Sequence, residues 1–308
     1  MKKMMGMVLV LFCVAGFAAA PALAALRVVT ALPDFKSIVE SVGGPYVTVS
    51  SVARPGWDPH FVDPKPSFLT SLANADLVVT VGLELDQWMD LLIDQSRNDK
   101  IQRGQPGYLV GAAGLPILEI PKGGVDRSLG DVHPLGNPHY WLDPHNGVLL
   151  ARHVAERLSD LDPDHADAFQ KNYETFRARI QSAIPRWEAR FKSVKDRRIV
   201  VYHNSWTYFA KAFGLTVVGY VEPKPGITPP PAHILDLITM IRKNSIRVIV
   251  KEPYYSNSLP DKIAADTGAQ VLDLSPSVGG SPEISNYYDL FEVDTRRVSE
   301  ALARGAVR

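Results

Sequence analysis

The sequence predicts an α/β fold of two β/α lobes, each with a mostly parallel central sheet, joined by a helical connection that holds one long helix. Three observations carry that expectation. Short runs rich in β-branched residues alternate with helical segments before residue 104, and the same alternation resumes after Lys195. Between the two regions, residues 146–195 form a long amphipathic stretch without a strand-like run.

The chain opens with MKKMMG, the apolar run VLVLFCVAGF and the triplet ALA at 22–24. A basic start, a short apolar run and a small-residue site describe a cleaved secretory signal over residues 1–24, not a membrane span. The only cysteine, Cys13, follows Phe12, where a lipoprotein signal wants small residues. The expectation is an exported chain with no lipid anchor and, once cleaved, no thiol for disulfides or soft-metal binding.

LRVVTAL (26–32), VTVSSVA (47–53) and LVVTVG (77–82) read as strands, with PSFLTSLANA and DQWMDLLIDQ as helices among them. Residues 104–138 are rich in Gly and Pro and read as a loop or weak strand region. Together these make an N-terminal lobe over residues 25–145. From Asn146, NGVLLARHVAERLSDL is helical, and a second helical stretch follows. In it Phe169, Tyr173, Phe176, Ile180, Ile184, Trp187 and Phe191 recur at spacings that bury one helical face. Pro185 is expected to kink or interrupt that helix, because it has no N–H to donate and its ring crowds the preceding turn. Residues 146–195 are thus the connection with its long bridging helix.

In the C-terminal lobe, residues 196–308, RIVVYHNS, TVVGYV, IRVIVKEP and AQVLDL are the strands. WTYFAKAFG, PAHILDLITMIRKN and SLPDKIAADTG are the helices, the first and last ending at glycine as helices often do. No period of 20–50 residues repeats, which excludes a solenoid. The chain carries 33 basic and 33 acidic residues, and loss of Lys2 and Lys3 leaves a slight acidic excess without basic clusters. Nucleic acid and membrane surfaces are therefore not expected partners.

The eight histidines separate by position. His153 and His165 sit in helical segments among charges, and His145 and His233 lie near helix starts, which favours surface or capping roles. His133, in GDVHPLG, is a candidate for an accessory metal contact. His60 follows the second strand through the stiff turn RPGWDP, and His203 ends the apolar run RIVVY. Ligands of open α/β sheets bind just outside the carboxyl ends of strands, so both are expected to face the cleft between lobes. His139, in GNPHYWLDPHN, enters the same region with its backbone restricted by Pro138 and its ring by Trp141.

WDPHFVDPKPS (57–67), NPHYWLDP (137–144), VYHNSWTYFAKAFGL (201–215) and GYVEPKPGITPPP (219–231) resemble the metal-binding solute receptors of ABC importers, the ZnuA/TroA-like zinc/manganese cluster. The resemblance runs in order along essentially the whole mature chain. It implies a periplasmic protein of two α/β lobes bridged by one long helix, with His60, His139 and His203 as metal ligands in the cleft. It also implies a membrane permease and a cytoplasmic ATPase as partners. Members that prefer manganese tend to replace one histidine by a carboxylate, so His203 at the third position favours Zn(II), with Mn(II) or Fe(II) as the alternative. Three neutral imidazoles and one carboxylate around a dication leave a site of net charge +1.

The family commonly draws its fourth ligand from an aspartate in an LDPL segment near the C-terminus. Here VLDLSPSVGG places Ser275 at that position, and serine is a poor zinc ligand. Glu252, at the end of IVKEP, is the expected fourth donor. Asp273 is the alternative, although it sits about 6–7 Å deeper along its strand. Water is a third possibility, and Glu222 ranks lower, as a cleft-wall group or one that orients a ligand imidazole. The stretch before His139 is short and holds one histidine, which counts against a large metal-collecting loop but leaves a role for Asp131 and His133 in handing metal inward. An enzyme reading finds no close-spaced ligand pair with a general base, no nucleophile elbow and no phosphate loop. An adhesin reading finds no repeat or low-complexity tract. The chain is expected to be a monomeric receptor, not an enzyme.

Overall fold

The computed structural model describes residues 25–123, 130 and 133–304. The expected signal segment and Asp131 lie outside the described residues. The first sheet contains β1 (Leu26–Thr30), β2 (Val47–Ser51), β3 (Leu77–Thr80) and β4 (Tyr108–Val110) in the order β2-β1-β3-β4. The second contains β5 (Arg198–Val201), β6 (Thr216–Tyr220), β7 (Val248–Lys251) and β8 (Gln270–Asp273) in the order β6-β5-β7-β8. Every pairing is parallel. The central strands β3 and β7 are buried along their whole length, as sheets covered on both faces require. Both sheets thus reverse strand order beside their first strand, the point where such folds open a ligand crevice.

The N-terminal sheet is flanked by α1 (Pro33–Gly43), α2 (Pro66–Ala73) and α3 (Gln87–Gln95). The C-terminal sheet is flanked by α6 (Thr207–Phe213), α7 (Pro231–Asn244) and α8 (Ser258–Thr267). Gly214 and Gly268 end α6 and α8 in the left-handed conformation, at φ 67° and 76°, where a glycine carries no Cβ clash.

The connection is made of two helices, α4 (Pro144–Leu161) and α5 (Ala166–Ala189), packed against each other. The 24 residues of α5 span about 36 Å at a rise of about 1.5 Å per residue. The predicted stripe is its buried face: Phe169, Tyr173, Phe176, Ile180, Ile184 and Trp187 are all buried. Pro185 does not interrupt it, a correction to the sequence reading. The proline falls near the last turn, so only one carbonyl loses its partner. Trp187 beyond it is fully buried and donates its indole N–H to Glu292 at 2.9 Å, which holds the end of the helix in place.

The closing helix α9 (Tyr287–Arg304) packs on α5 and also touches α1 of the other lobe. One hydrophobic core therefore runs from the first sheet through α4, α5 and α9 into the second, and a smaller core lies under α7 and α8. Polar bonds also cross between lobes. Tyr208 OH donates to Asn137 O at 3.0 Å, Trp141 Nε1 to Pro276 O at 2.9 Å, and the N–H of Val278 to Asp34 Oδ1 at 3.0 Å. Among the described residues, no helix is long and apolar enough to cross a membrane.

Candidate metal centre

His60, His139 and His203 come from three separate segments and meet between the lobes. Each offers a ring nitrogen, and the three nitrogens lie within 4.8 Å of one another. Ring centroids stand 4.9 Å (His60 to His203), 5.2 Å (His60 to His139) and 5.6 Å (His139 to His203) apart. His139 and His203 are 2% and 3% exposed. A cavity of about 350 Å³ opens beside them, lined by His133, Asn137, His139, His203, Glu119 and Glu222 among others.

The local sequence fixes how each imidazole presents itself. In Asp58-Pro59-His60, one carboxylate oxygen accepts both the His60 backbone N–H (3.0 Å) and the bond from His60 Nδ1 (2.7 Å). Asn137-Pro138-His139 repeats the arrangement, with Asn137 Oδ1 at 3.0 Å from both the His139 backbone nitrogen and its Nδ1. Proline holds φ of the middle residue, and the Asx oxygen closes a turn on the residue two further on. The proton then sits on Nδ1, and Nε2 becomes the free donor. Nε2 of both His60 and His139 is buried without a hydrogen-bond partner. At His203 another acceptor takes Nδ1: Glu222 Oε1 (3.1 Å), which the N–H of Gly226 fixes from behind (2.9 Å).

This Asx-Pro-His pattern is a signal that the sequence reading missed. It occurs a third time, at Asp143-Pro144-His145, with the same two bonds at 2.9 and 2.8 Å. There the imidazole is exposed at the start of α4. The pattern sets the tautomer, and position in the fold decides whether the free nitrogen meets others.

The electrostatics favour a neutral imidazole at His139 and a charged carboxylate at Asp58. Burial, then the nearness of His60 and His203, holds His139 well below the ordinary histidine range. At Asp58 burial pushes the pKa up, but the hydrogen bond and charge of His60 outweigh it, and the carboxyl titrates below its usual value. Buried ring nitrogens without a hydrogen-bond partner, as at His60 and His139, suit a borderline cation.

Neither expected carboxylate joins the group. Among the described residues, the nitrogens within 4.8 Å of one another belong to the three histidines alone. Glu252 is fully buried, its Oε1 accepting the indole N–H of Trp206 at 3.0 Å. Burial raises its pKa to about 7 against the opposing pull of Ser205 and Trp206. The alternative, Asp273, lies on the edge strand β8. Its side chain is 57% exposed and pairs with Lys251 Nζ at 2.7 Å. Ser275 is buried and donates to Ser277 O at 2.9 Å, whereas Glu252 Oε2 is buried without a hydrogen-bond partner.

Glu222, ranked low from sequence, is the acceptor that orients His203. A second group went unnoticed. Glu119 adopts a left-handed backbone at φ 55°, and its carboxylate accepts from Asn137 Nδ2 (2.9 Å), Asn204 Nδ2 (2.8 Å) and the Thr207 hydroxyl (3.2 Å). It ties the residue that orients His139 to the residue after His203. His153, His165 and His233 stand apart from the cluster, as expected; His165 bonds Asp162 and His233 the carbonyl of Tyr220.

The chain is similar to proteins that differ in metal. The iron-binding protein YfeA of Yersinia pestis is 24% identical over 289 residues, which cover 90% of this chain and 86% of that protein. The manganese ABC transporter substrate-binding lipoprotein PsaA of Streptococcus mitis is 22% identical, over 91% of this chain and 90% of its own. A crystal structure of ZnuA superposes with a TM-score of 0.75 at 24% identity, covering 90% of this chain and 99% of that one, and supports the two-lobed fold. The family model described as ZnuA, zinc-uptake complex component A periplasmic, matches residues 28–301, and the chain belongs to that family.

Proposed function

We propose that this protein is a periplasmic receptor that captures one divalent cation, zinc in preference, and hands it to the membrane permease of an ABC importer driven by a cytoplasmic ATPase. His60 and His139 from the first lobe and His203 from the second are its ligands. One observation carries the reading: three imidazoles from distant segments turn toward one point, each with Nδ1 already held by an acceptor. The relatives named for iron and manganese make those ions the alternative cargo. Nitrogen donors without a carboxylate among them favour zinc over the harder manganese.

The first lobe and the second each contribute to the shell, and the continuous core with its crossing bonds restrains them from swinging apart. Capture then needs a local contraction of ligand loops, not a domain rotation. The test is metal analysis of the mature protein, stripped and offered equal buffered Zn(II) and Mn(II). One equivalent of zinc per chain is expected; manganese retained against zinc would contradict the assignment.

The bond from His203 to Glu222 yields a second expectation. Groups that orient a metal-bound histidine typically control about 10- to 100-fold of affinity. Glu222→Leu is expected to weaken zinc binding by that factor in a chelator competition. Unchanged affinity would mean that His203 needs no support, or is not a ligand.

A further inference from the structure

We propose that His133 supplies the fourth donor to the cation, through Nε2, in place of a carboxylate. The inference rests on the three-histidine reading above and completes its shell.

His133 has the attributes of the other three. Its ring lies 5.4 Å from that of His60, nearly the distance that separates His60 from His139 (5.2 Å). It lines the same cavity as His139 and His203. Its Nε2 is sealed from solvent and has no hydrogen-bond partner. The other ring nitrogen donates to the backbone carbonyl of Leu83, so the tautomer is set as it is at His60, His139 and His203. A ring N–H held by a carbonyl or carboxylate, with the second nitrogen left free, is how protein frameworks present metal-binding imidazoles.

The acceptor is itself built with care. Gly82, Leu83 and Glu84 all have positive φ, at 81°, 54° and 66°. Two of these are residues for which the left-handed region is costly. Asp86 anchors the turn by accepting the N–H groups of Val81 (2.6 Å) and Gly82 (2.9 Å). That turn follows β3 at the carboxyl edge of the first sheet, and it directs the Leu83 carbonyl at His133.

The chain packs closely at Gly130 and at Gly136, to either side of His133. A Cβ on Gly130 would stand 2.3 Å from the Pro225 carbonyl oxygen, and one on Gly136 2.4 Å from an Ile117 methyl. Asn137 N–H continues the anchor by bonding Leu118 O at 2.8 Å.

His133 lies outside the group of nitrogens within 4.8 Å of one another. Zinc–nitrogen bonds of about 2.0–2.1 Å in a tetrahedron place donors about 3.4 Å apart, so the three-histidine group must contract around an ion in any case. His133, which lies outside that group, would have to move further inward than the other three to reach the ion. Four neutral imidazoles leave the dication with its full charge and a purely nitrogen shell, which selects against harder ions more strongly than three imidazoles and a carboxylate would.

Zinc K-edge X-ray absorption on the zinc-loaded mature protein, with zinc affinity measured by chelator competition, tests this. The parent is expected to show four imidazoles. His133→Ala is expected to show three imidazoles and one light oxygen, with affinity lowered by more than about 100-fold, beyond what loss of an orienting group costs. Glu252→Gln is expected to keep four imidazoles and to lose less than about 10-fold in affinity. A parent shell of three imidazoles and one oxygen would overturn the proposal while leaving the receptor reading intact. So would a His133→Ala variant with the parent's shell and affinity. A parent that takes up no zinc would remove both.

Discussion

His139→Ala is expected to lose the bound zinc outright. The residue is buried, its backbone and Nδ1 are both held by Asn137, and its Nε2 has no hydrogen-bond partner. Removing an orienting group already costs about 10- to 100-fold, so deleting a ligand itself is expected to cost more than about 100-fold. The metal-free variant should melt within a few degrees of the metal-free parent, because the deleted nitrogen bonds nothing but its own turn. The parent gains stability from zinc in proportion to the logarithm of concentration over Kd, about 4 kcal/mol at about 1,000 times Kd, and the variant should gain almost none. Calorimetry with and without zinc separates the two. A variant that kept its zinc-induced shift would show that His139 is not a ligand.

The second large effect concerns pH and stability. Asp34, in the first turn of α1, is fully buried and crosses to the other lobe, accepting the N–H of Val278 and the Ser277 hydroxyl, each at 3.0 Å. Burial raises its pKa from 3.8 to about 7, despite those two bonds. Asp294 of α9, also fully buried, is raised well above its ordinary value by burial, and Asp34 adds to that rise. The folded chain therefore holds a proton on Asp34 that the unfolded chain releases between pH 3.8 and about 7. Stability must fall as pH rises through that window and level off above it, the reverse of a salt-bridged carboxylate. The full loss is on the order of 4 kcal/mol, from about 1.4 kcal/mol per pKa unit. Asp34→Asn does not titrate, so between pH 4 and 8 the parent should lose on the order of 4 kcal/mol more than the variant in denaturant melts. Parallel profiles would mean that the carboxyl ionises in place at little cost.

Much of this architecture was legible in the sequence because its strands are short, β-branched and regularly spaced. Seven of them lie inside the runs quoted at the outset, and β4 emerged as three residues in the stretch read as loop or weak strand. Helices α1 and α9 were outside the expected set. In α1, Asp34, Phe35, Ser37, Ile38, Val39 and Val42 are all buried, so burial reaches round the helix and blurs the one-sided stripe on which periodicity depends. Helix α9 likewise buries Asp294, Thr295 and Ser299 beside its apolar residues, which dilutes its pattern.

The three histidines could be found from strand ends and family motifs because strand topology dictates where a cleft must open. The supporting groups were harder. Asp58 and Asn137 act through a turn within two residues, a local pattern that Asx-Pro-His would have disclosed. Glu119 and Leu83 act on partners that only the folded chain brings near, and no spacing announces them. The expected role of Glu252 drew on its position at the end of β7. What the sequence could not convey is that the Trp206 indole N–H bonds one oxygen of that carboxylate.

The most direct test is anomalous diffraction at the zinc edge from crystals of the zinc-loaded mature protein. The account predicts one peak between the lobes, bonded to Nε2 of His60, His139 and His203 at about 2.0–2.1 Å. A peak only at outlying histidines such as His145 or His153, or no peak at all, would contradict it.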